Sequence, residues 1–383
     1  MGGRADIYVG FYEQGLRALR AGGVLGFICA DRWLRNAYGA RLREMISAGW
    51  SVDAIVGMTG VDAFEDDVDA YPAITVIRRA AQATGPLIVM TKPTFGETDA
   101  KQLRKLVPSN RRTPVRRAHF DAARLTHWYA GSEGWPHGSP EDLAVLAALE
   151  DTLPSLEDPS TRTRIGIGIA TGADKVFLTT DPDLVEPERL IPLALPRDIS
   201  SGRVEWSGRS LINPWDDAGL VRLQDWPRFA EHMTAHKQLL SKRHTARTGN
   251  WYRTIDRLIP DLLSRPKLYL PDFKDRIFPV LDDGTTYPHH NLYWVTSETW
   301  DLQVLGGLLI TDIANFFIEA YSVRMRGGFL RFQAQYLRRI RLPDQDAVNA
   351  NAARGLARAF VERDADAATA IALPLYGLNR MPA

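Results

Sequence analysis

The sequence predicts an α/β fold with two domains, and three observations support this prediction. The chain has 383 residues, 45% hydrophobic and 24% charged, so it can bury a sizeable core and does not resemble a disordered chain. At about 100 to 200 residues per domain, this length predicts two domains. Short apolar runs alternate with amphipathic segments in residues 1–92, an alternation typical of a sheet layered with helices.

Apolar residues at nearly helical spacing predict a first helix over residues 6–21. Gly22 and Gly23 end this helix, and the apolar run of residues 24–29 predicts a buried strand. A second helix and three more strands are predicted over residues 38–47, 52–56, 73–77 and 87–90. A doubly wound domain carries its glycine-rich cofactor turn after its first strand, and no such turn precedes this first helix. We therefore expect the front half of the domain to be missing.

The middle of the chain is predicted to be a connection. Residues 93–150 are basic at first and then rich in proline, glycine and serine, which indicates a linker and a boundary near residue 150. Residues 151–383 combine short strands with one strong apolar helix over residues 301–321, and alanine-rich residues 345–372 predict a closing helix. This mixture predicts an α+β second domain.

Charge and cysteine content exclude several classes of protein. Forty-seven basic and 46 acidic residues give a net charge of +1, so any nucleic-acid surface must be local. The single Cys29 excludes an internal disulfide and a thiolate metal cluster, and it fits a reducing compartment. The apolar stretches fall short of the roughly 18 residues that a membrane span needs. Since no signal-peptide core is visible either, we expect a cytoplasmic protein with no membrane partner.

Three glycines, Gly166, Gly168 and Gly172, form a Gly-x-Gly pattern. The spacing differs from the dinucleotide-binding fingerprint, and the Lys-Ser/Thr pair of a P-loop is absent. Two interpretations are open: a cofactor loop, or a tight turn whose glycines let the backbone approach another surface, which we favour. In either case Lys175 is placed to meet an anion.

The histidine pairs His232/His236 and His289/His290 are the only candidates for a metal site. No carboxylate or cysteine stands at a supporting spacing, so we expect no metal and interpret the first pair as neighbours on a helix surface. The sequence also lacks a Gly-x-Ser-x-Gly elbow and the acidic motif of a metal-dependent nuclease, which leaves hydrolysis without a candidate centre.

The segment from Tyr321 to Pro343 contains six arginines and no acidic residue. Their counter-charges must come from outside or from distant carboxylates. Gly327 and Gly328 stand among these arginines, a mixture suited to close approach and to contacts with phosphates or bases. The alternative is a β-hairpin with a solvated arginine face. The candidate DNA-binding residues here are Arg324, Arg326, Gly327, Gly328, Arg331, Arg338 and Arg339.

Two sets of motifs follow one another along most of the chain. The first set comprises Asp6 to Glu13, Leu19 to Ile28, Arg32 to Leu34, and Tyr38 to Arg43. The second comprises Ala63-Phe64, Tyr71 to Ile77, Gly168 to Phe177, Arg265 to Lys267, Pro288 to Tyr293, and Arg326 to Pro343. In this order they resemble class I adenine-N6 DNA methyltransferases of the Eco57I and TaqI-like type, which act in restriction-modification systems.

This resemblance implies a role for each part of the chain. Residues 1–92 would be the C-terminal portion of a Rossmann-like methyltransferase sheet, residues 93–150 a basic linker, and residues 151–383 a target-recognition domain. Enzymes of this family transfer the methyl group of S-adenosylmethionine to adenine in double-stranded DNA, after flipping the base out of the duplex. By motif position Phe64 would stack on the flipped base; otherwise it is an ordinary core residue.

Two motifs of the family are absent from the 383 residues: the glycine-rich S-adenosylmethionine loop and the Asn-Pro-Pro-Tyr loop that binds the target amine. We therefore assign no catalytic residue, and we expect the chain alone to bind no cofactor and to be inactive. Three hypotheses follow. The chain is a truncated methyltransferase, a DNA-recognition subunit acting with a separate catalytic chain, or an inactive remnant.

Overall fold

The computed structural model describes residues 6–58, 72–109, 113–247, 249–322 and 330–382. The chain divides into two compact units, Met1–Leu153 with Arg380–Ala383, and Pro154–Asn379. The junction between Leu153 and Pro154 lies close to the boundary proposed near residue 150.

The first unit is built around one mixed sheet. Its helices are α1 (Ile7–Ala18), α2 (Ala40–Gly49), α3 (Glu97–Leu106) and α4 (Pro140–Thr152). Its strands are β1 (Val24–Ala30), β2 (Ser51–Gly57), β3 (Pro72–Arg78), β4 (Leu87–Thr91), β5 (Val115–Arg116) and β6 (Phe120–Arg124). Within the described part of this unit, six strands pair in the order β1-β3-β2-β4-β6-β5, and only β2 and β4 run parallel. The predicted layered α/β sheet is confirmed.

The described residues between 93 and 150 form helices and strands, unlike the basic linker expected from the sequence. They contain α3, most of α4 and two strands of the sheet, with β6 paired antiparallel to β4. In α3 the apolar Leu103 is buried against the sheet, and the basic residues are exposed, namely Lys101, Arg104 and Lys105. The charge run therefore marks the solvent face of an amphipathic helix, which composition alone does not distinguish from a linker.

Arg43 belongs to one of the family-like motifs, and its role in the first unit is structural. Its side chain is 2% exposed, and its guanidinium donates hydrogen bonds to the carbonyls of Asn36 at 3.0 Å, Ser132 at 2.8 Å and Glu133 at 2.7 Å. Burial lowers the pKa of Arg43 to about 10, so the group stays charged at neutral pH. It ties residues 132–133 to the start of α2.

The second unit combines short strands with helices. Its helices are α5 (Asp174–Phe177), α6 (Pro227–Ala235), α7 (Lys237–Ser241), α8 (His244–Arg247), α9 (Leu302–Leu309), α10 (Asp312–Tyr321), α11 (Ala334–Leu337), α12 (Ala350–Glu362) and α13 (Ala365–Leu375). Its strands are β7 (Arg164–Ile167), β8 (Leu178–Thr179), β9 (Leu190–Ala194), β10 (Ser210–Ile212), β11 (Trp215–Asp216), β12 (Gly219–Leu220), β13 (Lys267–Pro271), β14 (Phe273–Lys274), β15 (Val280–Asp282), β16 (Tyr287–Pro288), β17 (Leu292–Thr296) and β18 (Leu330–Arg331).

Two larger sheets organise the described part of this unit, in the strand orders β16-β9-β10-β8 and β15-β13-β17-β7. Large apolar residues from both sheets and from helices α5 and α6 share one core, including Phe177, Leu193, Phe229 and Tyr269. Mostly antiparallel short strands with helices constitute the α+β domain that the sequence predicts.

The apolar segment 301–321 forms two helices instead of the single helix predicted. The break follows α9, and the two helices are bent by 60°. The buried hydroxyl of Thr311 accepts a hydrogen bond from the backbone N–H of Ala314 at 3.2 Å and so begins α10. Apolar spacing continues across the break, so periodicity does not reveal it. Among the described residues no single helix is long and apolar enough to cross a membrane, although the bent pair α9 and α10 together has the length and composition.

Candidate functional site

Strand β7 and the loop after it carry the glycine pattern, with Gly166 in the strand, and these glycines make close approaches to other backbone and aromatic groups. A Cβ at Gly166 would lie 2.1 Å from the Trp294 ring, and a Cβ at Gly168 would lie 2.2 Å from the carbonyl oxygen of His289. Gly172 has a φ of +74°, which favours glycine. These contacts support the interpretation of a tight turn that lets the backbone approach a neighbouring surface.

Side-chain hydrogen bonds hold the end of this loop in place. The Thr171 hydroxyl donates to the Asp174 carboxylate at 2.5 Å and accepts from the backbone N–H of Ala173 at 3.0 Å. Lys175 follows directly and is exposed, and in the described part of the chain its ammonium has no hydrogen-bond or ion-pair partner. The loop thus presents one exposed positive charge without a partner among the described residues, next to an anchored carboxylate. Whether Lys175 binds an anion stays a prediction.

Arg243 connects this loop to a second segment, residues 237–253. Its guanidinium donates to the carbonyls of Thr171 at 3.0 Å, Trp251 at 2.9 Å and Arg253 at 2.7 Å. Burial, followed by the nearby charge of Arg253, lowers the pKa of Arg243. The hydrogen bonds from Arg243 to these three carbonyls hold the loop and the segment together.

Residues 237–253 form a basic surface that the sequence analysis missed. Lys237, Lys242 and Arg247 are exposed, and among the described residues none of them forms an ion pair. The Lys237 ammonium lies 5.5 Å from the centre of the Trp251 ring. The segment contains no aspartate or glutamate. The same absence of acidic residues singled out residues 321–343, so the sequence did carry a signal for this second basic segment. We call Lys175 together with residues 237–253 the basic surface.

Arg331, Arg338 and Arg339 have protein partners. Arg331 donates to the Asp272 carboxylate at 3.0 Å, and Arg338 pairs with Glu157 and donates to the carbonyl of Ile165 at 3.2 Å. The Arg339 guanidinium lies 5.0 Å from the centre of the Tyr321 ring. For the first two arginines, carboxylates distant in sequence supply the counter-charges. The prediction that these three arginines contact DNA is untested, but Arg331 and Arg338 would have to leave their carboxylate partners to bind phosphate. Phe64, Arg324, Arg326, Gly327 and Gly328 lie outside the described residues.

The two histidine pairs have different surroundings. The His232 and His236 rings lie 4.7 Å apart, and His236 Nδ1 is 3.0 Å from the His232 carbonyl oxygen. In the second pair, Nε2 of the buried His289 lies 3.1 Å from Oδ2 of Asp174. Asp174 is 115 positions away in sequence, so no local spacing could indicate this carboxylate.

The matching family model and two similar proteins are all methyltransferases. Residues 1–64 match the model of the Eco57I restriction-modification methylase family. The chain is 42% identical to the type II methyltransferase M.PaeR7I of Pseudomonas aeruginosa and 40% identical to M.XhoI of Xanthomonas vasicola, over 98% of its length in each case. It spans 65% of the first relative and 69% of the second.

A solved structure shares the fold. The type IIL restriction-modification enzyme MmeI, determined in complex with DNA, aligns with 99% of this chain and 50% of its own length. The TM-score is 0.51 at 13% sequence identity, so this likeness concerns the fold alone.

Proposed function

This chain belongs to the type II methyltransferase family of restriction-modification systems, and we propose that it takes part in methylating the N6 amine of adenine in a short duplex sequence. The methyl donor of the complete enzyme is S-adenosylmethionine. Family membership supports methyl transfer, and the ordered motifs that resemble adenine-N6 enzymes support the choice of base and cofactor.

The second unit contributes DNA binding in this proposal. The observation that carries it is the basic surface, where the exposed cations Lys175, Lys237, Lys242 and Arg247 have no carboxylate partner among the described residues. A protein with a net charge of +1 gains little from long-range attraction to DNA, so unpaired cations in one place are what phosphate binding requires. Phosphate contacts orient the protein on the duplex, and base contacts then select the sequence.

Methyl transfer needs a second polypeptide segment in this proposal, because the 383 residues lack the cofactor loop and the Asn-Pro-Pro-Tyr loop. That segment is either part of the same enzyme or a separate catalytic chain. Adenine N6 is inaccessible in a stacked duplex, so the base is flipped out. Phe64 is the proposed stacking partner of the flipped base.

The DNA-binding role is tested by the salt dependence of affinity. A Lys237→Ala/Lys242→Ala/Arg247→Ala variant should bind a fluorescent duplex more weakly, and its plot of log affinity against log salt should be flatter by roughly 2 to 3 units, since each phosphate contact contributes about 0.9. The matched control replaces three exposed arginines of the same unit that are already ion-paired, Arg162, Arg222 and Arg358. Equal slopes for the two triple variants would exclude the basic surface from DNA binding.

The methylation role is tested with the Pseudomonas aeruginosa relative. The part of that protein that the alignment does not cover is co-expressed with this chain, and modified nucleosides of a plasmid are measured by mass spectrometry. We expect N6-methyladenine with the pair and none with either part alone. Methylated cytosine would contradict the adenine assignment, and methylation by this chain alone would contradict the need for a second segment.

The same reconstituted pair tests Phe64. A Phe64→Ala variant should lower the fluorescence of 2-aminopurine at the target position while duplex affinity persists, because stacking contributes about 1 to 3 kcal/mol per base and phosphate contacts remain. An unchanged 2-aminopurine signal would remove Phe64 from the site.

A further inference from the structure

We propose that Asp174, His289 and His290 form a binding site for a divalent transition-metal ion of the zinc class. Their candidate ligand atoms all lie within 4.8 Å of one another. Oδ2 of Asp174 is 3.1 Å from Nε2 of His289, and the two imidazole rings have their centres 4.0 Å apart. Tetrahedral zinc with bonds of about 2.0 to 2.1 Å holds neighbouring ligand atoms roughly 3.3 Å apart. The cluster is therefore already close to the size of a coordination shell.

The backbone and a neighbouring side chain hold all three ligands in position. The backbone N–H of His289 donates to the carbonyl of Ala194 at 3.0 Å, and that of His290 donates to the carbonyl of Ile169 at 3.1 Å. Oδ1 of Asp174 is held by the Thr171 hydroxyl at 2.5 Å, which directs its second oxygen toward His289. Such outer hydrogen bonds orient metal ligands and keep the site formed before the ion arrives.

The imidazoles carry nitrogen atoms that the described protein leaves unsatisfied. His289 is 3% exposed, and Nδ1 of His289 and Nδ1 of His290 are both buried without a hydrogen-bond partner among the described residues. A buried polar atom without a partner costs about 1 to 3 kcal/mol. Coordination through Nδ1 of either ring would give that nitrogen the partner that it lacks among the described residues.

The donor set selects the kind of ion. Two imidazoles and one carboxylate suit zinc, cobalt or nickel, whereas magnesium and calcium prefer oxygen ligands. The Asp174 side chain is 43% exposed, so an ion can reach the site from solvent. Three protein ligands leave one position open for water. A bound ion would fix the position of the segment that carries Lys175. The proposal rests only on the geometry of the three ligands and does not depend on the proposed function.

The test is a titration of the untagged 383-residue chain with Co²⁺, read by visible absorption, and with Zn²⁺, read by calorimetry. We expect one equivalent of either ion to bind with micromolar or tighter affinity and a Co²⁺ spectrum typical of tetrahedral coordination. His290→Ala and Asp174→Asn should each weaken binding by at least about tenfold. Asp174 and His290 are partly exposed, so we expect both variants to fold, whereas a change at the buried His289 could disrupt folding. Circular dichroism checks that each variant is folded.

The control is the double variant His232→Ala/His236→Ala. This pair lies outside the cluster and is the other pair of neighbouring imidazoles in the described chain, so it is the obvious competing site. Its removal should leave metal affinity unchanged. The proposal is overturned if the chain binds no Co²⁺ or Zn²⁺, if binding survives His290→Ala and Asp174→Asn, or if it is lost in the double variant.

Discussion

The guanidinium of Arg331 donates a hydrogen bond to the carboxylate of Asp272 at 3.0 Å and lies 4.7 Å from the centre of the neighbouring Phe273 ring. Asp272 and Arg331 are 59 positions apart in sequence, and the strand pair β14–β18 brings them together. Arg331 therefore already has a counter-charge, whereas Lys242 on the basic surface has none among the described residues. This difference separates an arginine that stabilises the fold from a cation available to phosphate.

Arg331→Ala is expected to lower stability and to leave the salt dependence of DNA binding unchanged. Loss of a hydrogen bond between charged groups should reduce the free energy of unfolding by about 1 to 2 kcal/mol, measured by urea denaturation. Lys242→Ala should have the opposite profile, with unchanged stability and a salt slope flatter by about 0.9. If Arg331→Ala flattens the slope by about one unit, Arg331 exchanges Asp272 for a phosphate when DNA binds.

Gly168→Ala is expected to destabilise the second unit. The added Cβ would lie 2.2 Å from a backbone oxygen of His289, which cannot turn away as a side chain can, so overpacking should cost about 1 to 3 kcal/mol. Gly249→Ala is the control, because its Cβ would meet only the flexible end of the Arg253 side chain. Urea denaturation of the two variants measures the difference, and equal stability would show that the loop accommodates a side chain.

The secondary structure of residues 6–58 and 72–92 could be predicted because each element carries its own periodic signal. The helix predicted over residues 6–21 is α1 at Ile7–Ala18, and the run at residues 24–29 is β1 at Val24–Ala30. The break in segment 301–321 was missed because buried apolar residues continue on both sides of it, and only one buried hydroxyl, that of Thr311, marks the start of α10.

The site could be predicted only where charge is local in sequence. Lys175 was proposed because it follows the glycine pattern, and the structure shows it exposed. The basic surface at residues 237–253 could have been proposed by the criterion applied to residues 321–343, a segment without acidic residues. The partners of Arg338 and His289 could not be predicted. Glu157 lies 181 positions from Arg338, and Asp174 lies 115 positions from His289. Such pairs depend on how the strands assemble, which a single sequence does not encode in any local spacing.

His127 is expected to make stability depend on pH. Its pKa is raised by the Glu150 carboxylate and then by Asp151, despite opposing burial, and its Nδ1 lies 2.9 Å from Asp151. A raised folded-state pKa stabilises the protein fully below the unfolded value of about 6.5, and this contribution is lost as pH rises through the folded value. His127→Gln should therefore cost more stability at pH ~6 than at pH ~8.5. Urea denaturation at both pH values measures this, with His244→Gln as an exposed control, and an equal cost at both would contradict it.

The first unit exposes a group of apolar side chains at one edge of its sheet. Ile7 and Phe11 on α1 are 75% and 59% exposed, and Val24 and Ile28 on β1 are 44% and 50% exposed. In the described part of the chain β1 pairs with β3 along one edge and with no strand along the other. An open strand edge beside exposed apolar groups favours association between chains.

A Phe11→Lys/Ile28→Lys variant is therefore expected to raise the solubility of the isolated chain. Lysine at an edge strand opposes pairing with a second chain, and each substitution removes a large apolar side chain from the exposed group. Light scattering against protein concentration is the measurement. Val361→Lys is the matched control, because Val361 is 58% exposed but lies on helix α12 of the second unit and not on an edge strand. If the control improves solubility as much as the double variant does, general surface charge is responsible and the β1 edge is not.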